Sequence, residues 1–280
     1  MRIATWNVNS LRARVGRVEE WLGYARPDIL CLQETKLADA AFPALAFGAL
    51  GYESAHWGQG QWNGVAILSR IGIADVSAGF DLSAASTGPD DATGEARVLW
   101  ATCGGVRVGS VYVPNGRMVG TSHYEAKLHW LECLRRQLAE RDPAEPLVVC
   151  GDFNVAPDDR DVWDPTKLHG ATHVSPPERE ALRALAEWGL VDAFRRRYSQ
   201  DRLYSWWDYR AGDFHQHRGL RIDLVLATAT LAETTSFALI DRNARKGKAP
   251  SDHAPLLVDF EYPPASHEAS SPTTVNSASP

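Results

Sequence analysis

Short apolar runs that break off on a carboxylate or a carboxamide recur along this chain, and they limit what it can fold into more than any other feature. Leu147, Val148, Val149 and Cys150 are followed at once by Gly151 and Asp152 and, two residues further on, by Asn154. An apolar run bounded by a turn residue predicts a short buried strand. A carboxylate at its end sits on a rigid element, where a metal-binding or catalytic group is best held. Taken alone, Asp-x-Asn is equally the mark of a turn whose side chains bond their own backbone. The pattern repeats, however. Asn7 closes RIATWN, Glu34 closes DILCLQE, Tyr112 and Asn115 close VGSVYVPN, and Asp152 and Asn154 close LVVCGDFN. Asp223 in RIDLVLA and Asp252 with His253 in SDHAPLLVDF stand at strand beginnings instead. Neighbouring strands of a mixed sheet run in opposite senses, so ends of some and beginnings of others share one rim. All six groups are therefore expected to converge. Read singly, Glu34 is equally a helix cap and Asp252 a turn.

Strands are predicted at 2–8, 28–33, 64–69, 97–102, 106–113, 147–151, 222–227, 234–240 and 255–260. Asn9 or Ser10 is read as the cap of a helix with Leu11, Val15, Val18 and Leu22 on its apolar face, ending before Pro27. Ser122 and Glu125 form a capping-box pattern for a second helix, with Tyr124, Leu128, Leu131, Leu134 and Leu138 on one side. Ser175, Pro176, Pro177 and Glu178 open a third, which runs to Gly189. This alternation predicts an α/β protein of two sheets flanked by helices. From Pro263 onward, PPASHEASSPTTVNSASP has almost no apolar content and is expected to be disordered, leaving one catalytic domain over 1–262.

Hydrophobic residues make up 44% of the 280 and charged residues 23%, which suits a soluble globular protein with ample core. No run approaches the ~20 apolar residues of a membrane span, and MRIATWNVNS lacks the apolar centre of a signal peptide, so a cytoplasmic protein without membrane partners is expected. Cys31, Cys103, Cys133 and Cys150 form no C-x-x-C pair and read as reduced thiols. A net charge of −6 argues against a protein that coats nucleic acid by bulk electrostatics. Local basic faces remain available at Arg12, Arg14 and Arg17, at Arg195, Arg196 and Arg197, and at Arg242, Arg245, Lys246 and Lys248. Several carboxylates with asparagines and one histidine make a hard, oxygen-rich site, suited to magnesium or manganese rather than zinc. Phosphoester cleavage is the natural reaction of such a site.

The stretches IATWNVNSLRAR, PDILCLQETK, VYVPNG, GDFNVAPDDRD, YSWWDYRAG, RGLRIDLVLA and SDHAPL, in this order, resemble the exonuclease III type of DNA-repair nuclease within the endonuclease–exonuclease–phosphatase superfamily. GDFN with SDH indicates only the superfamily, and WWDYR…RGLRID narrows it to this branch. The resemblance implies a four-layer α/β sandwich of two mixed sheets packed face to face between helices. It implies magnesium-dependent cleavage of double-stranded DNA 5′ to abasic sites and trimming of 3′ ends by a monomer. Glu34 looks like the principal metal ligand, with Asn7, Asn9 and Asp252 around the ion. Asp152 resembles the residue that activates or orients the attacking water, supported by Asn154. Tyr112 and His253 resemble groups that contact the scissile phosphate, and Asp223 the partner of that histidine. On this reading either Asp152 or a metal hydroxide is the base, and either one or two ions act.

Trp206, Leu220 and Ile222 align with positions that wall the family's pocket for an extruded abasic sugar. Arg218 and Arg221 lie nearby, each read as a phosphate contact or as the partner of a surface acid, whereas Trp207 and Tyr209 are expected in the core. His173 stands where some members carry a glycine beside the pocket, so it either hinders incision of continuous DNA or is a surface-loop residue. Two rival functions are a superfamily phosphatase acting on a lipid or inositol headgroup, disfavoured by the WWDYR segment, and a catalytically silent DNA-binding protein. The second rival is expected to lack one of Glu34, Asp152, Asn154, Asp252 or His253, all of which are present.

Overall fold

Alternate residues of separate strands meet in one slab: Ile3, Cys31, Ile67, Leu99, Val108, Cys150, Val225 and Val258 are all buried in a single cluster. The slab lies between two six-stranded sheets in a computed structural model that describes residues 1–80 and 92–262. The expected tail beyond residue 262 lies outside the described residues. In chain order the elements are β1 (Arg2–Asn7), α1 (Leu11–Ala25), β2 (Ile29–Gln33), α2 (Ala44–Ala49), β3 (Glu53–Trp57), β4 (Val65–Ser69), β5 (Ala74–Ala78), β6 (Val98–Cys103) and β7 (Val106–Tyr112). They continue with α3 (Ser122–Ala139), β8 (Leu147–Asp152), α4 (Pro176–Trp188), β9 (Leu190–Asp192), β10 (Asp223–Thr228), α5 (Ala229–Glu233), β11 (Thr235–Ile240) and β12 (Leu256–Phe260).

One sheet has the order β11-β12-β1-β2-β4-β3, the other β5-β6-β7-β8-β10-β9. Two neighbouring pairs are parallel, β1 with β2 and β7 with β8. Parallel neighbours need a crossover, and α1 and α3 supply it. Each crossover helix covers the outer face of its own sheet. Val18, Trp21 and Leu22 of α1 pack with Ala4, Leu30 and Leu257, while Trp130, Leu134 and Leu138 of α3 pack with Trp100, Val149 and Leu224. The result is the four-layer α/β sandwich.

Three details depart from the sequence reading. Among the described residues there are three further strands, β3, β5 and β9, each at a sheet edge. The cap of α3 is Thr121, one residue before the predicted Ser122, and its hydroxyl accepts from the Tyr124 N–H. At α1 the cap position is Ser10, but its side chain makes no cap; its N–H instead donates to the Glu34 carbonyl at 2.7 Å. The Ser175–Glu178 capping box of α4 forms as read. All four cysteines are buried. Among the described residues no helix is long and apolar enough to cross a membrane.

Candidate active site

Strand register builds the site. Parallel pairing of β7 and β8 sets Tyr112 opposite Asp152, and antiparallel pairing of β8 and β10 sets Asp152 opposite Asp223. Gly151 permits the first of these pairings: a Cβ there would lie 1.9 Å from the Val111 carbonyl oxygen. From the other sheet, Asn7 ends β1 opposite Gln33, which brings Glu34 to the same rim. Asn7 joins the two halves, because its Nδ2 donates to Glu34 Oε1 at 2.8 Å and to Asp152 Oδ2 at 2.9 Å. It thus presents amide hydrogens to both carboxylates, while its own oxygen accepts the Asn9 N–H at 2.9 Å. Asn9 Nδ2 in turn donates to Asp252 Oδ1 at 3.1 Å.

Directly after the strand ends the backbone turns left-handed, with φ of 42° at Asn9, 53° at Glu34 and 51° at Asn154. Asparagine tolerates this region, whereas at glutamate it is a local strain of the kind that clusters at functional sites. Both readings of Asp152-x-Asn154 hold. The Asn154 N–H donates to Asp152 Oδ1 at 2.9 Å, which is the turn, and the other carboxylate oxygen faces Asn7 and the histidine.

His253 lies between two aspartates, with Nδ1 2.8 Å from Asp223 Oδ2 and Nε2 3.7 Å from Asp152 Oδ2. Burial alone would lower the imidazole, but Asp223, Asp152 and Asp252 together raise it to about 10, so it carries a proton at neutral pH. Burial, with Asp223 and Glu34, pushes Asp152 up to about 7 against the opposing pull of His253 and the Asn7 hydrogen bond. Asp252 goes the other way. Its burial is outweighed by the charge of His253 and by hydrogen bonds from Trp206 and Asn9, which hold it below the usual carboxylate range. Burial and the neighbouring Glu34 keep the Tyr112 phenol protonated well above its ordinary range.

Two groupings at the rim are candidates for a cation. Ligand atoms of Asp152, Asp223 and His253 lie within 4.8 Å of one another. In that trio, however, the histidine already donates through Nδ1 to Asp223, and its ring is a poor partner for a hard ion. Glu34, Asn9 and Asp252 offer oxygens, and they already attract positive charge. The Lys36 ammonium sits 2.8 Å from Glu34 Oε2 and 2.7 Å from Asn9 Oδ1. Asp223 Oδ1 is buried without a hydrogen-bond partner among the described residues, a further sign of unsatisfied negative charge. This donor set fits magnesium or manganese.

Trp206, Leu220 and Ile222 are close together beside this rim. Leu220 and Ile222 share a small cluster with Ala156, Val162 and Val174, against which Trp206 packs half-buried. Trp206 Nε1 donates to Asp252 Oδ2 at 3.1 Å. His173 lies in the turn before α4 and is half-buried. Its Nδ1 meets the Asn154 carbonyl and its N–H donates to Glu178 at 3.0 Å, and burial and the nearby Lys127 lower its pKa to about 4. Arg218 bonds Asp213 at 2.9 Å and lies over the Trp163 ring. Arg221 is fully buried, paired with buried Asp161 at 2.6 Å and with partly exposed Asp192 at 2.8 Å, and so is turned away from any phosphate. Trp207 is in the core as expected, but Tyr209 is 49% exposed because its hydroxyl reaches out to the Pro250 carbonyl.

The sequence reading assigned no role to Lys36, Ser251 or Lys127, and it read Glu178 only as the capping-box residue of α4. Ser251 Oγ donates to the Asn7 carbonyl at 2.7 Å, and Lys127 Nζ to the Asn154 carbonyl at 2.7 Å. A lysine two residues after Glu34 was the one signal available for this group.

Residues 4–253 match the family described as endonuclease/exonuclease/phosphatase. The chain is 32% identical over 277 residues to an exodeoxyribonuclease III of Haemophilus influenzae, covering 93% of this chain and all of that one. Two solved structures, a Neisseria 3′ phosphatase (NExo) bound to a product DNA hairpin and an AP endonuclease from Archaeoglobus fulgidus, each superpose with a TM-score of 0.88 at 38% identity. In both comparisons 94% of this chain and 100% of the other are covered.

Proposed function

The chain belongs to the endonuclease/exonuclease/phosphatase family, a family of phosphodiester hydrolases, and from that premise we propose that it is a magnesium-dependent DNA-repair phosphodiesterase of exonuclease III type. It cleaves duplex DNA 5′ to abasic sites and trims 3′ ends, as a monomer in the cytoplasm with one catalytic domain over residues 1–262. The observation that carries this reading is the row Tyr112, Asp152 and Asp223, with His253 held between the two aspartates.

A hard divalent ion held by Glu34 with Asn9 and Asp252, Asn7 orienting Glu34, would polarise phosphate oxygens and stabilise the leaving 3′ oxygen. The chain's own residues supply the rest. Asp152, raised to about 7, is matched to accepting a proton from the attacking water near neutral pH. Asn154 holds that carboxylate through its backbone N–H and, at 3.3 Å, through Nδ2. The 3.7 Å between His253 Nε2 and Asp152 is too long for a hydrogen bond, which leaves the Nε2 proton for a phosphoryl oxygen as negative charge builds. Asp223 keeps the imidazole charged and oriented. The protonated Tyr112 hydroxyl is a second donor to the phosphate. Trp206, Leu220 and Ile222 wall the space for a sugar without its base, Arg218 lies at its edge, and His173 beside Asn154 favours 3′-end trimming over incision of a continuous strand.

The test compares matched duplexes carrying an abasic site, a 3′-phosphate or a recessed 3′ end with small phosphate esters such as an inositol phosphate, each with magnesium and with chelator. The DNA substrates are expected to turn over only with magnesium or manganese. Efficient hydrolysis of the small esters with DNA left intact would establish the headgroup-phosphatase reading instead.

A further inference from the structure

Outside the rim row, Lys127 on α3 and Glu178 on α4 form an ion pair with both side chains fully buried. The Lys127 ammonium donates to the Asn154 carbonyl at 2.7 Å, to the Asn115 carbonyl at 3.3 Å and to Glu178 Oε1. All three of its hydrogens are thus engaged. Glu178 is equally complete. Oε1 also accepts the His173 N–H at 3.0 Å, and Oε2 accepts the Ser175 N–H at 3.0 Å and the Ser175 hydroxyl at 2.6 Å. The chain closes around the lysine stem at Gly116, where a Cβ would come within 2.8 Å of Lys127 Cδ.

Two packed helices gain little from such a pair, because an apolar substitute of similar volume holds them as well without the cost of removing two charges from water. What an apolar substitute lacks is a grip on backbone carbonyls. Asn154 has φ of 51°, its side-chain oxygen accepts from Asn115 Nδ2 at 3.3 Å, and its N–H holds Asp152 Oδ1 at 2.9 Å. Any shift of its backbone therefore moves the Asp152 carboxylate. His173 shares the same Asn154 carbonyl.

We propose that the Lys127–Glu178 pair is a positioning device for the phosphodiesterase site: the ammonium fixes the carbonyls of Asn115 and Asn154, the carboxylate fixes His173, and together they set the place of Asp152. The inference rests on reading this rim as the site of phosphodiester hydrolysis. Lys127 and Glu178 touch no reacting atom and act through the residues they hold.

The test uses the full chain. Lys127→Met alone leaves Glu178 buried without its counter-charge and lowers Tm, whereas Lys127→Met/Glu178→Gln removes both charges and restores Tm toward wild type. At restored Tm the double variant is expected to lose ~10-fold or more in kcat on a 3′-phosphate duplex, the usual scale for losing a residue that orients a catalytic group, with KM changed less than twofold. A kcat within twofold of wild type overturns the proposal. If that variant does not fold, Lys127→Gln/Glu178→Gln replaces it under the same criterion, its amide being unable to reach both carbonyls and residue 178. An active wild type with an equally active double variant overturns this inference alone. A wild type inactive on every DNA substrate overturns the phosphodiesterase reading and this inference with it.

Discussion

Two buried charge clusters lie against the beginning of β10, and they differ in charge balance. Around Arg221, two guanidiniums, Arg221 and Arg195, face two carboxylates, Asp161 and Asp192. At the rim, the carboxylates Glu34, Asp152, Asp223 and Asp252 face one imidazolium and the Lys36 ammonium. The consequence is visible in two aspartates of similar burial. Burial would raise Asp161, but Arg221 and Arg195 hold it below the ordinary carboxylate range. Asp152 is pushed up to about 7, because burial and its acidic neighbours exceed what His253 returns. A balanced cluster is complete and holds the fold. On the proposed reading, the acid-rich cluster is completed by a cation and by the substrate.

The comparison breaks first at its structural half. Arg221→Met leaves buried Asp161 with Arg195 alone and takes from Asp192 its partner of opposite charge, and is expected to cost about 3 kcal/mol of stability. Chemical denaturation checks this, and kcat per folded molecule should stay near wild type. Loss of kcat without loss of stability would move Arg221 into the catalytic half.

At the rim the signs reverse. Asp152→Asn is expected to reduce turnover by ~100-fold or more, the usual scale for a general base, while stability holds or rises because one of several repelling carboxylates is gone. Steady-state kinetics alongside thermal unfolding reads both. Near wild-type turnover would remove Asp152 from the proton transfer and leave a metal hydroxide as the base.

The smallest effect concerns His173. Its φ of 78° suits glycine, so His173→Gly is expected to fold without penalty. The variant should raise the ratio of abasic-site incision to 3′-phosphate removal several-fold on matched duplexes, since a continuous strand must bend past the imidazole and a free 3′ end need not. His173 also carries a pH signature. Its folded pKa, about 4, lies below the ordinary histidine value, so the stability linked to the neutral ring is full above that ordinary value and fades as pH falls toward 4. The Tm of His173→Gly should lack that component of the acid limb. Equal changes in both activities would reduce His173 to a packing residue.

The sequence made the rim legible because its carboxylates and carboxamides break off short apolar runs at turn residues. It made the interior strands legible for the same reason. The three strands it did not reveal are all sheet edges: β5 is exposed along its length, β3 is only half-buried, and β9 has three residues. An edge strand needs no apolar run, so periodicity has nothing to detect. Lys127 and Glu178 escaped for a different reason. A lysine within a helix reads as a solvated residue until the fold shows three acceptors around its nitrogen. Arg221 was ambiguous in sequence because its partners, Asp161 and Asp192, lie in a single 3-10 turn and on the short edge strand β9.

The claim that the rim is acid-rich in order to hold a cation is tested most directly without DNA, by following thermal unfolding of the wild type and of Glu34→Gln through a magnesium titration. Binding to the folded state alone stabilises by about 2.7 kcal/mol at a hundred times the dissociation constant. The wild-type Tm is therefore expected to climb with magnesium, with Glu34→Gln needing a much higher concentration for the same gain. A wild-type Tm that ignores magnesium, or a Glu34→Gln curve that overlays the wild type, would contradict the account.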